Sequence, residues 1–236
     1  MFEYAGAAGR TKLERSWGAL KEYPSGVLLG AQILGILVFP FTEDAGTGRV
    51  VISIFGLVVL GVAVLAVNRT PSTRIIAYSL GAPVVVLTIS EAVWPDIAWL
   101  ELVSNGAHAV FYFYTAISLL RYMFADAWVS RDELMATGAT FTVLVWAFAY
   151  TYGAVQVYFD GAFTVGGVVR PLSWFELLFL STTTLTGTGL SDIAPNTTDG
   201  ANFARSIVML QMLTGMNYVA LVIARLLGLT LVKFRR

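Results

Sequence analysis

Cysteine is missing from all 236 residues, and histidine occurs once, at His108. Without thiols the chain can build no disulfide, thiolate nucleophile, iron–sulfur cluster or cysteine zinc site. A zinc site on one imidazole would need several converging carboxylates, and no such set stands out. Charge is scarce as well: 13% of residues are charged and 57% hydrophobic. Soluble domains carry roughly 25% charged residues, so much of this surface faces lipid. The net charge is +0, which leaves no global basic field for nucleic acid, and no nucleic-acid partner is expected. There is no Gly-x-Ser-x-Gly signature and no acid/base cluster at one boundary. An enzyme is therefore not expected, and neither is a cofactor. No internal repeat of helix pairs is visible, which weighs against transporters built from duplicated halves.

What remains is apolar and comes in blocks. A helix needs about 20 apolar residues to span the hydrocarbon. Six segments are candidate spans, near 26–41, 50–67, 75–93, 97–124, 134–159 and 204–231. Arg10, Lys12, Arg15 and Lys21 before the first run resemble the front of a signal peptide. No small-x-small cleavage site follows and the run is long for that role, so it reads as a retained span. Between the fifth and sixth spans lies a shorter apolar stretch, 174–185, of the length expected for a re-entrant segment.

The basic residues set the orientation. With a cytoplasmic N-terminus and six crossings, Arg10, Lys12, Arg15, Lys21, Arg69, Arg74, Arg121, Arg131, Arg225, Lys233, Arg235 and Arg236 lie inside. Only Arg49, Arg170 and Arg205 lie outside, as the positive-inside rule requires. A seventh crossing at 174–185 would put the basic C-terminus outside, so charge and length favour re-entry independently. Glu43, Asp44, Glu91, Asp96, Asp160, Asp192 and Asp199 collect on the outer side. They read either as solvated loop charge or, for Asp192 and Asp199 above all, as a negative mouth that concentrates cations.

The expected fold is thus an all-α integral membrane protein. It has six transmembrane helices plus one re-entrant pore helix and filter loop between helices 5 and 6. Residues 1–25 form a cytoplasmic N-terminal segment and 26–133 a four-helix membrane scaffold. Residues 134–236 form a pore domain, with an outer helix, a pore helix at 174–185, a filter at 186–191 and an inner helix at 204–231. The expected location is the plasma (cell inner) membrane, multi-pass, with both termini cytoplasmic.

Ser173 followed by Glu176 is a capping box and predicts a short helix from Trp174. That helix is apolar through Leu180 and hydroxylic over 181–184; Gly187 and Gly189 among threonines follow, then Asp192 and Pro195. A helix that stops halfway through a membrane leaves its last carbonyls unsatisfied. They carry the negative end of the helix dipole and favour a cation. The Thr/Gly segment can add backbone carbonyls as replacement hydration, and glycine permits the φ values this needs. A hydroxyl-rich membrane loop without conduction is the other reading of the same residues.

Thr184-Leu-Thr-Gly-Thr-Gly-Leu-Ser-Asp-Ile-Ala-Pro195 resembles, without gaps, the pattern Thr-x-Thr-Thr-Val-Gly-Tyr-Gly-Asp-x-x-Pro of the potassium-channel superfamily pore loop. Thr184, Thr186, Gly189, Asp192 and Pro195 match, and Trp174 and Phe175 fit the aromatic helix start. The whole chain is similar to bacterial six-span proteins described as ion-channel family proteins. The resemblance implies an ion filter of Thr186, Gly187, Thr188, Gly189, Leu190 and Ser191, supported by Ser173, Glu176, Asp192 and Pro195. It implies a homotetramer in the lipid bilayer and a permeating monovalent cation, potassium or sodium. One pore loop cannot enclose an ion path, so a ring of chains is required. Gly187 stands where the family has threonine, Thr188 where it has valine, Leu190 where it has tyrosine and Ser191 where it has the second glycine. Aligning Gly187-Thr188-Gly189 as Gly-x-Gly instead keeps both glycines but needs two extra residues before Asp192. Strong potassium selectivity is therefore not expected of this filter.

The fourth span carries only Arg121, at its cytoplasmic end, and a voltage sensor would repeat Arg or Lys every third residue. Gating through a charged fourth helix is not expected. His108, beside Asn105 in that span, is either pH-sensitive or a neutral histidine bonded to a neighbouring helix. In the last span Gln211, Thr214 and Asn217 recur at offsets of three, with Gly215 a candidate hinge. They line the pore or bond between helices. The functional expectation is a tetrameric cation channel, potassium foremost. The alternatives are a secondary transporter and a non-conducting membrane protein with a degenerate pore loop.

Overall fold

The computed structural model describes residues 23–41, 48–67, 71–94, 96–125, 130–189, 192–196 and 201–234. Residues 1–22 of the expected N-terminal segment, Asp199 and the filter positions Leu190 and Ser191 lie outside the described residues.

Six long helices and one short one carry the described chain. They are α1 (Pro24–Val38, continued by a 3-10 turn at Phe39–Phe41), α2 (Gly48–Val67), α3 (Pro71–Val93), α4 (Ala98–Met123), α5 (Arg131–Tyr158), α6 (Trp174–Thr186) and α7 (Ala201–Phe234). Four of them hold windows long and apolar enough to cross a membrane: Pro24–Phe41, Ile75–Val93, Arg131–Tyr158 and Asn202–Arg225. At 13 residues α6 is about 20 Å long, well short of the roughly 30 Å hydrocarbon thickness.

The helix starts are written locally. Pro24 opens α1 where its missing N–H costs nothing. Ser130 caps α5 through a capping box with Glu133, and Ser173 caps α6 through one with Glu176. At the start of α5, Asp132 accepts hydrogen bonds from the Ser25 backbone N–H and hydroxyl, both at 3.0 Å, and from the Tyr122 hydroxyl at 3.2 Å. That carboxylate ties the beginnings of α1 and α5 to the end of α4.

Helix α5 is the centre of the fold. It packs against α1, α4, α6 and α7, and its residues are buried without a break from Val143 to Ala149. A helix covered on every side has no polar stripe to show. Around Trp146 the aromatic side chains make a connected group: Phe39, Tyr112 and Trp174 all lie within 6.1 Å of its ring centroid. Helix α7 is the opposite case. Met209, Leu213 and Met216 on it are 58, 59 and 75% exposed in the single chain, a run of apolar surface that lipid or a second copy must cover.

A small sheet amends the all-α expectation. Strands β1 (Phe163–Val165), β2 (Val168–Val169) and β3 (Ile193–Pro195) form an antiparallel sheet of order β2-β1-β3. The β1–β2 hairpin turns on Gly166 and Gly167, with φ of 57° and 85°, values only glycine adopts without strain. Strands this short carry little alternation, and the Gly-Gly pair was the one legible signal.

Candidate functional site

Both ends of α6 are tied down, and the ties begin in the loop before it. The Gln156 side chain on α5 accepts from the Leu172 N–H at 3.0 Å and donates to the Leu172 carbonyl at 3.2 Å. Ser173 N–H then donates to Glu176 Oε2 at 2.8 Å, and Glu176 N–H to Ser173 Oγ at 3.3 Å. Arg170 completes the cap by donating from Nη1 to Glu176 Oε2 at 2.8 Å. The Arg170 hydrogen bond, ahead of the Ser173 N–H, holds the Glu176 carboxyl below the usual glutamate range, with partial burial pulling the other way. The same hydrogen bond pushes the Arg170 guanidinium up. A carboxylate at the first turn also suits the positive end of the helix dipole.

At the other end, Thr186 is the last helical residue and Gly187 the left-handed cap, with φ 70° and ψ 13°. Gly189 is left-handed too, at φ 66°, and Thr188 between them is not. A Cβ on either glycine would meet nothing within 4 Å, so backbone conformation alone calls for glycine there. The Thr184 carbonyl accepts from Gly187 N–H at 3.1 Å, and the Thr183 carbonyl from Gly189 N–H at 3.4 Å. The hydroxyls of Thr186 and Thr188 lie 3.0 Å apart, and Thr186 Oγ1 donates to the Thr182 carbonyl at 2.9 Å. Thr186, Gly187, Thr188 and Gly189 are all exposed in the single chain, although the preceding turn, Thr183 to Leu185, is buried.

Beyond the loop the chain is caught by the sheet. The Asp192 carbonyl accepts from Gly166 N–H at 2.9 Å, and Ile193, Ala194 and Pro195 pair with Val165, Thr164 and Phe163. Asn196 closes the arrangement by donating from Nδ2 to the Gly161 carbonyl at 2.9 Å. Asp192 and Pro195 thus sit where the re-ascending chain is fixed to the turn after α5.

The inner-helix residues separate. Gln211 is fully buried. Its Nε2 donates to the Ser181 carbonyl at 2.8 Å and to the Ser181 hydroxyl at 2.7 Å, and its Oε1 accepts from Tyr152. Gly215, one turn on, faces the Leu185 carbonyl so closely that a Cβ would overlap it. Thr214 and Asn217 instead bond their own helix, to the Leu210 and Leu213 carbonyls at 2.8 and 2.7 Å. They border an apolar cleft of about 440 Å³ between α4, α5 and α7. Steps of three fall about 60° short of a full turn each, so Gln211 and Asn217 look in different directions. Tyr152 and Gln156 on α5, which brace the loop from behind, carry no motif. Their signal was that polar side chains within a span need partners.

His108 lies apart from the loop. Its Nδ1 is 2.8 Å from the Ser104 carbonyl, and its Nε2 is 3.2 Å from Thr88 Oγ1 on α3. The ring stacks on Tyr150 at 4.3 Å, and Tyr150 stands 4.2 Å from Trp174, the first residue of α6.

Residues 136–230 match the family model described as "Ion channel". The match runs from the second turn of α5 through the short helix and the glycine loop into α7, which are the elements just described. This part of the chain is similar to an ion-channel domain, which supports the resemblance to the potassium-channel superfamily. The matched family is one of channels and not of enzymes. No curated protein and no solved structure matches the chain.

Proposed function

We propose that the protein is a homotetrameric channel for monovalent cations, potassium foremost, with a weakly selective filter built on Thr186, Gly187, Thr188 and Gly189. Leu190, Ser191 and Asp192 carry the chain from this filter back to the sheet. The observation that carries this reading is a half-length helix ending in two left-handed glycines, with its final residues exposed although the turn before them is buried. A partial negative charge at the end of such a helix favours a cation, and glycine backbone can present carbonyl oxygens without side chains in the way. One copy supplies one wall of a path, so symmetric copies complete it. The apolar exposure of α7 supports burial against neighbouring copies.

In this reading α1 to α5 and α7 cross the membrane, both termini are cytoplasmic, and the location is the plasma (cell inner) membrane. The absence of a basic repeat on α4, which carries only Arg121, supports gating by something other than a charged fourth helix. Thr214 and Asn217 border the cleft shared with α4 and α5, and Gly215 serves as a packing point against the pore helix.

The test is reconstitution in planar bilayers with potassium, sodium and chloride exchanged across the membrane, paired with the mass of the purified assembly in mild detergent. Discrete cation currents from a particle of four chains are expected. A strictly monomeric particle, or slow saturable flux without unitary currents, would overturn the proposal in favour of a transporter or a non-conducting protein.

A further inference from the structure

The interior of the domain built by α5, α6 and α7 holds a polar side chain at its centre. Gln211 is a strongly polar side chain with no exposure, placed where the inner helix could have carried a leucine. An amide buried at mid-membrane is costly unless each of its hydrogen-bonding groups is met. Here they are. The two Nε2 hydrogens go to the carbonyl and hydroxyl of one residue, Ser181, at 2.8 and 2.7 Å. The Oε1 accepts from the Tyr152 hydroxyl. Ser181 in turn donates its own hydroxyl hydrogen to the Val145 carbonyl at 2.7 Å. This accounting fixes the amide orientation, because the reversed amide would set Oε1 against the Ser181 carbonyl, which has no hydrogen to give.

The network joins the three helices of the domain: α5 through Tyr152 and Val145, α6 through Ser181, and α7 through Gln211. Ser181 lies one turn before the end of α6, and the Leu185 carbonyl one turn later rests against Gly215, one turn after Gln211. The inner helix therefore grips the pore helix at two successive turns, by a polar bracket and by a backbone contact. The glycine loop starts two residues beyond the second grip.

The geometry points to Gln211 as the positioning residue of the filter: its bracket sets where the carbonyl end of α6 and the Gly187–Gly189 loop stand relative to the inner helix. Any displacement of α7 at this level is passed to the loop through Ser181. The inference deepens the channel reading and rests on it for its ionic consequences, but the mechanical link holds whether or not ions flow. Hydrophobic packing alone would hold the helices together equally well and would not fix their rotation or register; directional bonds do.

The chain has no cysteine, so Thr188→Cys carries a single nitroxide label at the loop in the full-length assembly. Its spectrum is compared in Gln211→Met, Ser181→Ala and Tyr152→Phe backgrounds, alongside the sodium-to-potassium permeability ratio of the unlabelled variants in bilayers. Gln211→Met should raise label mobility and shift the permeability ratio at least threefold, with Tyr152→Phe, which loses one bond of the three, giving a smaller change in the same direction. Combining Gln211→Met with Ser181→Ala should give less than the sum of the two, because they share the Gln211–Ser181 hydroxyl bond and only the hydroxyl's bond to Val145 is separate. A lower melting temperature with an unchanged spectrum and ratio would make Gln211 a packing residue and overturn the inference. If Gln211→Met does not assemble, Ser181→Ala and Tyr152→Phe decide on the same readouts. If the native protein passes no current, the channel reading fails by itself and label mobility alone decides the role of Gln211.

Discussion

Gly215 on the inner helix and the Leu185 carbonyl on the pore helix meet backbone to backbone. Only a residue without a Cβ allows that approach. Because the obstacle is a carbonyl near the end of a buried helix, it has no rotamer with which to move aside. Gly215→Ala is expected to cost about 1–3 kcal/mol through overpacking and to weaken the assembled pore domain. Gly30→Ala on α1, where a Cβ meets nothing within 4 Å, should instead be neutral or stabilising by up to about 1 kcal/mol. Thermal melting of both variants in one detergent checks the contrast, and equal melting temperatures would refute it.

Gly187 and Gly189 present a purely conformational demand. With open space around both α-carbons within the single chain and left-handed φ values, an alanine at either place is opposed by roughly 1–2 kcal/mol of backbone strain and by no side chain of its own chain. Gly187→Ala and Gly189→Ala should leave assembly intact while changing single-channel conductance. An unaltered conductance in both would remove the loop from the conduction path.

Much of this was legible before any coordinates. The capping box Ser173–Glu176 is written in four residues and forms as read; the structure adds a second of the same kind at Ser130–Glu133. The pore helix is expected over 174–185 and runs one residue further, because Gly187 rather than Leu185 supplies the left-handed stop. What was not legible depends on contact across the fold. The sheet arises because the chain after the filter finds an edge at Phe163–Val165 that no local alternation announces. Gln211 looked like a partner of Thr214 and Asn217 by spacing, but Ser181 and Tyr152, thirty and fifty-nine positions away, decide where it points.

The Arg170–Glu176 clamp gives the N-terminal end of α6 an acid limit. The Glu176 carboxyl is held below its ordinary value, so the folded state binds this proton less readily than the unfolded chain. The stabilisation is complete above the unfolded value of about 4.3 and is lost as pH falls through the lowered folded value. Wild-type melting temperature should therefore drop more steeply below about pH 4.5 than that of Glu176→Gln, which lacks the titrating group. Parallel curves would show that the clamp contributes nothing. Ser173→Ala, at neutral pH, should cost about 1 kcal/mol through loss of the cap.

Near the opposite end of the inner helix, Arg225 pairs with Glu133 at 3.4 Å, both side chains largely buried, at 10 and 6% exposure. Arg225 also lies 5.0 Å over the Phe124 ring. Glu133→Gln keeps a group able to cap α5 and withdraws the charge, so it isolates the ion pair. It is expected to destabilise by about 3 kcal/mol, as when one member of a buried pair is removed, and Glu133→Gln with Arg225→Met should regain most of that loss. Chemical denaturation of the two variants separates these outcomes; a double variant as weak as the single would contradict the pairing.

The sheet that catches Asp192 has a consequence for how this protein can vary. The chain is held at two posts on either side of the glycine loop, the end of α6 and the hydrogen bond from Gly166 to Asp192. Gly187 and Gly189 apart, whose left-handed φ values call for glycine, a substitution leaves both posts in place, whereas an inserted or deleted residue would have to pull one loose.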